Sequence, residues 1–375
     1  MKIGVIRETK EFEKRVALSP DVVKQLVKKG FEVVTEQQAG VNSNYSDQDF
    51  TAAGASVVSR AEALTSDLVL KVNPFTREEI EGLKSGAACI SYMYAYTAKP
   101  MVETLNSKNI TSFSMDAVPR ISRAQKMDAL SSQANLAGYK AVLLGANHLS
   151  KIFPLMMTAA GTITPSKVLI FGAGVAGLQA IATAKRLGAI VEVTDVRPET
   201  KEQVESLGGR FLTVEGAEGV KVTGGYASEV SEDFLKKQKQ LISERIREAD
   251  LVITTALVIG KKAPVLVTEE MVKTMKQGAV IIDMAVESGG NCELSEINKT
   301  VVKNGVTIVG ESNLPSLLAT NASQLYAANI STLLLHLFTK DGLQLNQEEE
   351  ITKGCLITHG GQLVHEFTKN IFNKA

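Results

Sequence analysis

The segment 167–195, KVLIFGAGVAGLQAIATAKRLGAIVEVTD, places a strand pattern, a glycine-rich turn, a helix pattern and a second strand pattern in direct succession. Gly172 permits a tight turn after the first strand, Gly174 lets the backbone approach a ligand closely, and Gly177 lets the helix pack against the strand. The start of the helix offers free N–H groups and a positive dipole end, which suit a phosphate. This order of elements predicts a parallel sheet that binds a dinucleotide at the turn.

Asp195 ends this segment, 21 residues after Gly174. At this spacing a carboxylate meets the adenosine ribose hydroxyls of a bound dinucleotide. A carboxylate there disfavours a 2′-phosphate, so the sequence favours NAD(H) over NADP(H), although Arg197 is a residue type that can accept a 2′-phosphate. The structural alternative is a plain tight turn in an α/β sheet.

Alternating strand and helix patterns run through both halves of the chain. The first series includes the strand patterns KIGVI, FEVVTE, DLVLKV, AACISYM and ITSFSMD, and the second includes KVLIF, AIVEVTD, RFLTV, DLVITTAL, AVIID and GVTIVG. Such alternation implies right-handed crossovers and mostly parallel sheets. We therefore expect an α/β protein with two Rossmann-like, doubly wound parallel-sheet domains.

Two long helical patterns, at 127–150 and 314–340, are predicted to link these domains. The first domain is expected over 1–126 and is completed by 341–375, and the NAD(H)-binding domain is expected over 151–313, with a cleft between them. The second linking helix is expected to bury an apolar face that includes Leu325 and Tyr326, and to pack His336 in the core.

The composition excludes several classes of protein. With 44% hydrophobic and 22% charged residues, the chain is typical of soluble globular proteins. The 41 basic residues balance 41 acidic ones, so no basic field for nucleic acid is expected. Three widely separated cysteines argue against a disulfide framework or a zinc site, and no metal is expected. The sequence shows no signal peptide and no apolar run long enough to span a membrane, which predicts a cytoplasmic protein.

A dense set of polar groups, PRISRAQKMD at 119–128, stands directly before the first linking helix. Arg120 offers a planar fork of donors, Gln125 can donate and accept, and Asp128 can accept. Helix capping by Ser122 or Asp128 would explain one such residue, but not the whole set. The pattern favours a polar clamp that holds a ligand.

The chain resembles the NAD(H)-binding alpha component of proton-translocating NAD(P) transhydrogenase. The similarity is carried by RVALSP, PRISRAQKMDALSSQANLAGYKAV, MMTAAGT, FGAGVAGLQAIATAKRLGA, TDVR, TKEQVESLGG and DMAVESGGNCELSE, and it covers essentially the whole chain. The resemblance implies that NAD(H) binds to this chain and NADP(H) to a partner, with direct hydride transfer between the two nicotinamides.

The resemblance also implies which residues form the site. Around the nicotinamide it implies Arg120, Ile121, Ser122, Gln125, Lys126, Met127, Asp128 and Ser131. For the rest of the dinucleotide it implies Gly172, Gly174, Val175, Ala176, Gly177, Asp195, Val196, Arg197, Gly225, Gln238 and Leu257. A direct part in catalysis is implied for Arg120, Gln125, Asp128, Ser131 and Tyr226.

The partners implied by the resemblance are a second copy of this chain, an NADP(H)-binding beta subunit and a separate membrane-spanning subunit that couples the transfer to proton translocation. In many relatives the alpha chain continues into transmembrane helices, whereas this sequence ends at NIFNKA. The split form of the enzyme is therefore expected, with this chain held peripherally at the inner membrane by its partners.

Alanine dehydrogenase is the competing relative, because it shares the fold and the RVALSP region. Its chemistry needs a proton acceptor or donor, usually histidine, and the first 147 residues contain none. Tyr94 stands where that histidine would be, and Glu287 stands at the position of the catalytic aspartate. Arg15 and Lys71 match positions that resemble substrate-carboxylate contacts, but a structural ion pair or a solvated charge is the favoured interpretation of each. A nucleotide-sensing regulatory module is the alternative outside the enzymes.

A long glycine-bearing insertion separates two strand patterns at 215–250. Such connections are often functional, so a lid that closes over the nucleotide and a plain surface loop both stay open here. Its end, LKKQKQLISERIREA, predicts a solvated helix.

Overall fold

The computed structural model describes residues 1–213, 221–223, 226–229, 232–258 and 260–374. The described chain falls into two compact units. Met1–Gln133 and Pro315–Ala375 form the first unit, and Ala134–Leu314 form the second.

Short strands and helices alternate along the chain, as the sequence predicts. Up to residue 150 they are β1 (Lys2–Val5), α1 (Pro20–Lys28), β2 (Glu32–Glu36), α2 (Asp47–Ala52), β3 (Ser56–Val58), α3 (Arg60–Leu64), β4 (Leu68–Leu70), α4 (Arg77–Gly82), β5 (Ala88–Ser91), α5 (Lys99–Ser107), β6 (Thr111–Ser114) and α6 (Ala129–His148). From 151 to 250 they are β7 (Met156–Thr158), β8 (Gly161–Ile163), β9 (Lys167–Phe171), α7 (Val175–Arg186), β10 (Ile190–Thr194), α8 (Lys201–Ser206), β11 (Arg210–Phe211), β12 (Lys221–Thr223), β13 (Tyr226–Glu229) and α9 (Glu232–Ile246). After 250 they are β14 (Leu251–Thr254), α10 (Glu269–Lys273), β15 (Val280–Asp283), β16 (Thr300–Lys303), β17 (Val306–Val309), α11 (Ala319–Leu337), β18 (Phe338–Thr339), β19 (Gly342–Leu343), α12 (Glu350–Cys355), β20 (Leu356–His359), β21 (Gln362–Leu363) and α13 (Glu366–Phe372).

Local sequence explains several of these helix starts. Ser46 and Asp49 form a capping box at α2, and Thr76 and Glu79 form another at α4, so each pair satisfies two backbone N–H groups. Pro20 occupies the first turn of α1, where its missing N–H costs no helical bond, and the buried Ser19 before it makes no side-chain capping bond.

The sheet of the first unit has the strand order β21-β20-β6-β5-β4-β1-β2-β3 among its described residues. Its central strands are parallel, whereas β20 and β21 add an antiparallel edge beside β6. Alternate residues of β4 enter separate cores, since Leu68 and Leu70 belong to one apolar cluster and Val69 to the other. Both faces of this sheet are therefore covered, as expected for a parallel sheet.

The sheet of the second unit has the order β11-β10-β9-β14-β15-β17-β16. The strand β9 pairs in parallel with both β10 and β14, so the chain reverses its winding direction beside β9. In open α/β sheets, ligands bind at the carboxyl ends of the strands that flank such a point. The topology therefore predicts a ligand site at the turn after Phe171.

The two doubly wound sheets confirm the predicted α/β class, but one edge of each sheet is antiparallel. The edge strand β16 runs antiparallel to β17, and the sequence prediction omitted it. Asn304 and Gly305 connect the two strands with positive φ angles of 52° and 75°. An Asn-Gly pair between short apolar strands is a strong hairpin signal, so the omitted strand was predictable.

Two details of the α11 prediction are wrong. Tyr326 is fully buried, but Leu325 is 41% exposed. His336 is also exposed, and its Nε2 lies 3.0 Å from Oε2 of Glu349. The rest of the predicted apolar face is confirmed, since Ala322, Tyr326 and Ile330 are buried at the four-residue spacing of one helix face. Leu325 and His336 lie outside this face.

A buried polar network connects the start of the chain with α6. Arg15 donates to both carboxylate oxygens of Glu13, at 2.8 and 2.7 Å, and to Oε1 of Gln133 at 3.0 Å. The Nδ2 of Asn73 donates to Glu13 and to Glu8, at 2.9 and 3.0 Å. Burial works against the charge of Glu13, but Arg15 holds the pKa of this carboxyl down to about 2. Arg15 is thus in a structural ion pair, as predicted.

Lys71 is also in an ion pair. Its Nζ lies 2.7 and 2.9 Å from the two carboxylate oxygens of Glu79, and both side chains are almost fully buried. The neighbouring backbone is fixed as well, because the hydroxyl of Tyr326 donates to the carbonyl oxygen of Lys71 at 2.9 Å. Paired in this way, Lys71 has its charge satisfied within the protein.

This network predicts a pH dependence of stability that arises at Glu8. Burial raises the pKa of Glu8 from 4.5 to about 7, with Lys71 opposing and Glu13 reinforcing the shift. Between these pH values the folded state holds a proton that the unfolded state has released, so the free energy of unfolding should fall as pH rises. In the native chain this decrease amounts to up to about 3 kcal/mol, at ~1.4 kcal/mol per pKa unit. The Glu8→Gln variant cannot ionise at this position, so its free energy of unfolding should lack this decrease.

Urea denaturation at several pH values between about 5 and 8 measures this effect. Glu81→Gln is the matched control, because the side chain of Glu81 is 52% exposed. If the free energy of unfolding of Glu8→Gln fell with pH as steeply as that of the native chain, Glu8 would be ionised throughout this range. An equal change in Glu81→Gln would show that the effect does not arise at Glu8.

Candidate functional site

The polar segment before α6 folds into a 3₁₀ turn, Ser122–Met127, followed directly by the helix. Asp128 caps α6: its Oδ1 accepts the backbone N–H of Ser131 at 2.8 Å, and its Oδ2 accepts the Ser131 hydroxyl at 2.6 Å. Capping therefore accounts for Asp128, whereas the 3₁₀ turn has no side-chain cap from Ser122. The capping explanation covers one portion of the polar set.

The remaining polar groups surround a pocket, which we call the clamp pocket. It has a volume of about 260 Å³ and is lined by Pro119, Arg120, Ile121, Ser122, Ala124, Gln125, Asp128 and Ser131. Six of the predicted nicotinamide contacts are in this set. Of the other two, Lys126 is exposed outside the lining and Met127 is buried in the core of the first unit.

Gln125 offers the clamp pocket an available hydrogen-bonding group. It is exposed, and within the described part of the chain its side-chain amide has no hydrogen-bond partner. Arg123, by contrast, points to α12, where it pairs with Glu349 and Glu350 at 3.1 and 3.4 Å. The pocket thus offers an amide that can donate and accept at the same time. Its lining contains no histidine.

The glycine turn of the second unit has the geometry that its sequence predicts. Gly172 has a φ of +99°, and a Cβ atom there would lie 2.3 Å from Oγ1 of Thr255. A Cβ atom at Gly177 would lie 1.9 Å from the carbonyl oxygen of Gly172, so only glycine lets α7 lie this close to the turn. A Cβ atom at Gly174 would meet no described protein atom within 4 Å, which leaves this side open to a ligand.

The first turn of α7 completes this region of the site. Gly174 stands immediately before the helix, and Val175, Ala176 and Gly177 are its first three residues. The N–H groups of a first helical turn have no acceptor within the helix and form its positive dipole end. The residues present therefore fit a pyrophosphate.

Asp195 lies where the sequence places it, after β10, but its oxygens already have partners. Its Oδ2 accepts the backbone N–H of Ala173 at 2.7 Å, and Arg197 binds both oxygens through Nε and Nη2 at 2.9 and 2.8 Å. The backbone N–H of Arg197 adds a fourth bond at 2.8 Å. Ribose hydroxyls would have to share or replace the arginine contacts, a feature that the motif spacing does not reveal. Val196, between the two, is half-buried.

Leu257 lies on the segment that follows β14 and is 43% exposed. The preceding residue is fixed by Asn291, whose side chain accepts the N–H of Ala256 at 3.0 Å and donates to its carbonyl oxygen at 2.9 Å. Asn291 is itself fixed by Asp283, which accepts its backbone N–H at 2.9 Å. Sequence analysis missed Asn291, although an asparagine after two glycines at the end of a strand is a turn signal.

Gly138 is a second residue that the sequence analysis missed. It lies within α6, and a Cβ atom there would lie 2.1 Å from the carbonyl oxygen of Ala176. Helix α6 can therefore pack directly against the first turn of α7. A glycine inside a helix pattern indicates such a close approach, so the signal was present in NLAGYKAV.

Three predicted residues lie partly or wholly outside the described portion of the chain. Gly225 lies outside the described residues. Tyr226 is in β13 and Gln238 is in α9, but their side chains are outside the described portion. Their roles stay predictions, and the choice between a lid and a plain surface loop at 215–250 stays open. The helix predicted within that range is confirmed as α9.

Family comparisons agree with this architecture. The model "Alanine dehydrogenase/PNT, N-terminal domain" matches residues 4–137, and "Alanine dehydrogenase/PNT, C-terminal domain" matches residues 141–366. Together with the glycine turn, these matches define the class as oxidoreductases that bind a nicotinamide nucleotide.

Individual relatives narrow the class. The first part of NAD(P) transhydrogenase subunit alpha from Rhodospirillum rubrum is 53% identical over 97% of this chain and 98% of that protein. A solved transhydrogenase from Sinorhizobium meliloti superposes with a TM-score of 0.89 at 45% identity, covering 97% of this chain and all of that one. Alanine dehydrogenase from Staphylococcus saprophyticus is 30% identical over the full chain and 97% of that protein. The chain belongs to the family of NAD(P) transhydrogenase alpha subunits, which confirms the resemblance seen in the sequence.

The contacts of Asp195 predict how nucleotide preference will respond to substitution. Asp195→Ala removes the acceptor of the Ala173 N–H and the carboxylate that the sequence assigns to the ribose, so NADH binding should weaken by roughly tenfold to a hundredfold, as expected for bonds to a charged group. Asp195→Asn keeps one acceptor but not the negative charge, so it should lose less NADH affinity and gain tolerance for a 2′-phosphate.

Calorimetric titration of the native chain and both variants with NADH and NADPH measures this preference. Equal affinity of the native chain for the two nucleotides would contradict the assignment of Asp195. Equal behaviour of the Asn and Ala variants would show that the negative charge, which both lose, matters and that the bond to Ala173 does not.

Proposed function

We propose that this chain is the NAD(H)-binding component of a proton-translocating transhydrogenase, and that hydride passes directly from NADH bound here to NADP⁺ on a partner. The clamp pocket is the observation that carries this proposal. The Gln125 amide, unpaired within the described residues, suits orientation of a carboxamide, and the carboxylate of Asp128 is engaged in a helix cap. The pocket is thus suited to orienting a ligand.

Transfer of a hydride between two nicotinamides moves no substrate proton, so it needs no acid or base. It needs two rings held at near-attack distance and shielded from water. Bound NAD(H) supplies the transferable hydride at C4 of its nicotinamide ring. In our proposal Gln125 and Arg120 hold the carboxamide of this ring and the ribose attached to it. Ser131 and Asp128 fix the wall of the pocket.

The second unit supplies most of the binding energy in this proposal. The N–H groups at the start of α7 hold the pyrophosphate, and Asp195 meets the adenosine ribose after exchange of its arginine contacts. The open side of Gly174 supports this placement. Preference for NAD(H) over NADP(H) then follows from the carboxylate. NADP(H) is assigned to the partner chain.

The partners proposed are an NADP(H)-binding beta subunit and a separate membrane-spanning subunit that couples hydride transfer to proton translocation. Support comes from relatives whose names describe one portion of an alpha subunit. Among the described residues, no helix combines the length and apolar character required to cross a membrane. We therefore assign membrane attachment, on the cytoplasmic side of the inner membrane, to the partners.

A homodimer also belongs to the proposal. The hairpin of β7 and β8 exposes Leu155, Met156, Met157 and Ile163 by 56%, 44%, 76% and 43%. Adjacent exposed apolar side chains of this kind mark interaction surfaces. A second copy of the chain is the partner that we assign to this hairpin.

The alanine dehydrogenase alternative is disfavoured by three observations. The lining of the clamp pocket has no histidine, and Tyr94, at the position of the expected histidine, is a phenol with a φ of +44°. Arg15 and Lys71 are engaged by Glu13 and Glu79. A substrate carboxylate would have to compete with these buried ion pairs.

The proposed function predicts dependence on a partner. The purified chain with NADH and NADP⁺ should show negligible transfer, and addition of an NADP(H)-binding partner domain should start it. The chain should form no NADH from alanine and NAD⁺, because the lining of the pocket contains no histidine to exchange the substrate proton. Absorbance assays of both reactions test this directly. Robust alanine-dependent NADH formation would support the alternative, and transfer without a partner would remove the need for a second nucleotide-binding chain.

The role of Gln125 predicts a separation of rate from affinity. Gln125→Asn shortens the side chain by one methylene, while the pyrophosphate and adenosine contacts stay intact. NADH affinity should therefore change little, whereas the rate of hydride transfer should fall by about tenfold to a hundredfold, because a misplacement of ~1 Å can cost that much.

Stopped-flow transfer with the partner present and NADH fluorescence titration give the two quantities. Gln362→Asn, on the exposed portion of β21, is the matched control and should change neither. A native transfer rate in Gln125→Asn, or outright loss of NADH binding, would contradict a positioning role.

A further inference from the structure

Asn329 is a buried side chain of α11 that joins two segments of the clamp pocket, the 3₁₀ turn and the start of α6. It is 8% exposed. Its Nδ2 donates to the carbonyl oxygen of Lys126 at 2.9 Å, within the 3₁₀ turn. Its Oδ1 accepts the hydroxyl of Ser132 at 2.7 Å, in the first turn of α6. Because a carbonyl oxygen can only accept, Nδ2 must face Lys126 and the orientation of the amide is fixed.

These two bonds fix the backbone geometry of the pocket. The 3₁₀ turn carries Gln125, one residue before Lys126, and the first turn of α6 carries Ser131, one residue before Ser132. Asn329 therefore contacts the chain next to one polar group of the pocket on each side. Loss of its amide would leave the Lys126 carbonyl without this donor, and would leave the Ser132 hydroxyl only its 3.1 Å bond to the carbonyl oxygen of Ala129, which weakens the link between the turn and the helix.

A second contact supports the same end of α6. Gln133 donates through Nε2 to the carbonyl oxygen of Ala322 at 3.0 Å and accepts from Arg15 at 3.0 Å. Helix α6 is thus held to α11 by Gln133 independently of Asn329, whereas Asn329 bonds to the backbone of the 3₁₀ turn. Removal of Asn329 should loosen the turn more than the helix.

We infer that Asn329 is a positioning residue for hydride transfer: it sets the distance between the turn that carries Gln125 and the helix start that carries Ser131, without contacting the nucleotide. This inference rests on the proposed function of the clamp pocket. It assigns to α11, which follows the second unit in the chain, a role in orienting the nicotinamide.

The test uses Asn329→Leu and Asn329→Asp in the full chain with the NADP(H)-binding partner present. Leucine keeps the volume and removes both bonds, and an ionised aspartate keeps the shape but faces the Lys126 carbonyl with a second acceptor. Both variants should transfer hydride about tenfold to a hundredfold more slowly, while the NADH dissociation constant stays within about threefold of native. Ser132→Ala, which removes one of the two bonds, should slow transfer less.

Asn321→Leu is the control on the same helix, because its side chain bonds only to Gln324 among the described residues and is exposed. It should leave both rate and affinity native. Each rate is divided by the amount of folded chain, which is measured as NADH-binding capacity. A variant that only reduces the amount of folded chain then keeps a native rate. A native rate per folded chain in both Asn329 variants, or a loss of NADH affinity in parallel with the rate, would overturn the inference. Hydride transfer by the native chain with its partner tests the proposed function itself, whatever the rates of the Asn329 variants are.

Discussion

The contact between Gly177 and the carbonyl oxygen of Gly172 is the constraint on which the dinucleotide half of this protein depends. A side chain at Gly177 would place its Cβ 1.9 Å from that oxygen, so α7 could not begin where β9 ends. The free N–H groups of the first turn of α7 lie beside the open face of Gly174 only because this approach is possible. The same closeness recurs at Gly138, where α6 meets the carbonyl oxygen of Ala176. Gly172, Gly174 and Gly177 therefore create a surface of backbone donors, which is what a pyrophosphate needs.

The clamp pocket follows a different principle, since its polar groups are side chains fixed by other side chains. Asp128 and Ser131 satisfy each other at the helix start, and Asn329 joins that start to the 3₁₀ turn. Gln125 is left with an amide that has no partner among the described residues. A site of this kind supplies geometry in place of proton transfer, which suits a reaction whose barrier depends on how two rings are aligned. The buried pairs of Arg15 and Lys71 agree with this view, because the charges that could bind a substrate carboxylate are used within the fold.

Local sequence was sufficient for much of this. The strand, turn and helix around Gly172 could be predicted because each glycine has a local steric reason, and β16 was predictable from Asn304 and Gly305. The partners of Asp195 were not predictable, since nothing in the spacing reveals that Arg197 folds back onto the carboxylate. Asn329 lies 203 residues from Lys126, so only the fold brings them together. Leu325 was misplaced because two helix faces differ by a single residue in the pattern, and packing decided between them.

The central claim is that hydride moves directly between two nicotinamides without passing through a protein acid or base. Its most direct test is the fate of deuterium placed at the transferred C4 position of NADH, with the native chain, the NADP(H)-binding partner and NADP⁺ in ordinary water. Direct transfer predicts that the NADPH formed carries the deuterium in full, and that none appears in the solvent. Formation of unlabelled NADPH, with deuterium released to water, would contradict it and would require a protein group to exchange the label with solvent.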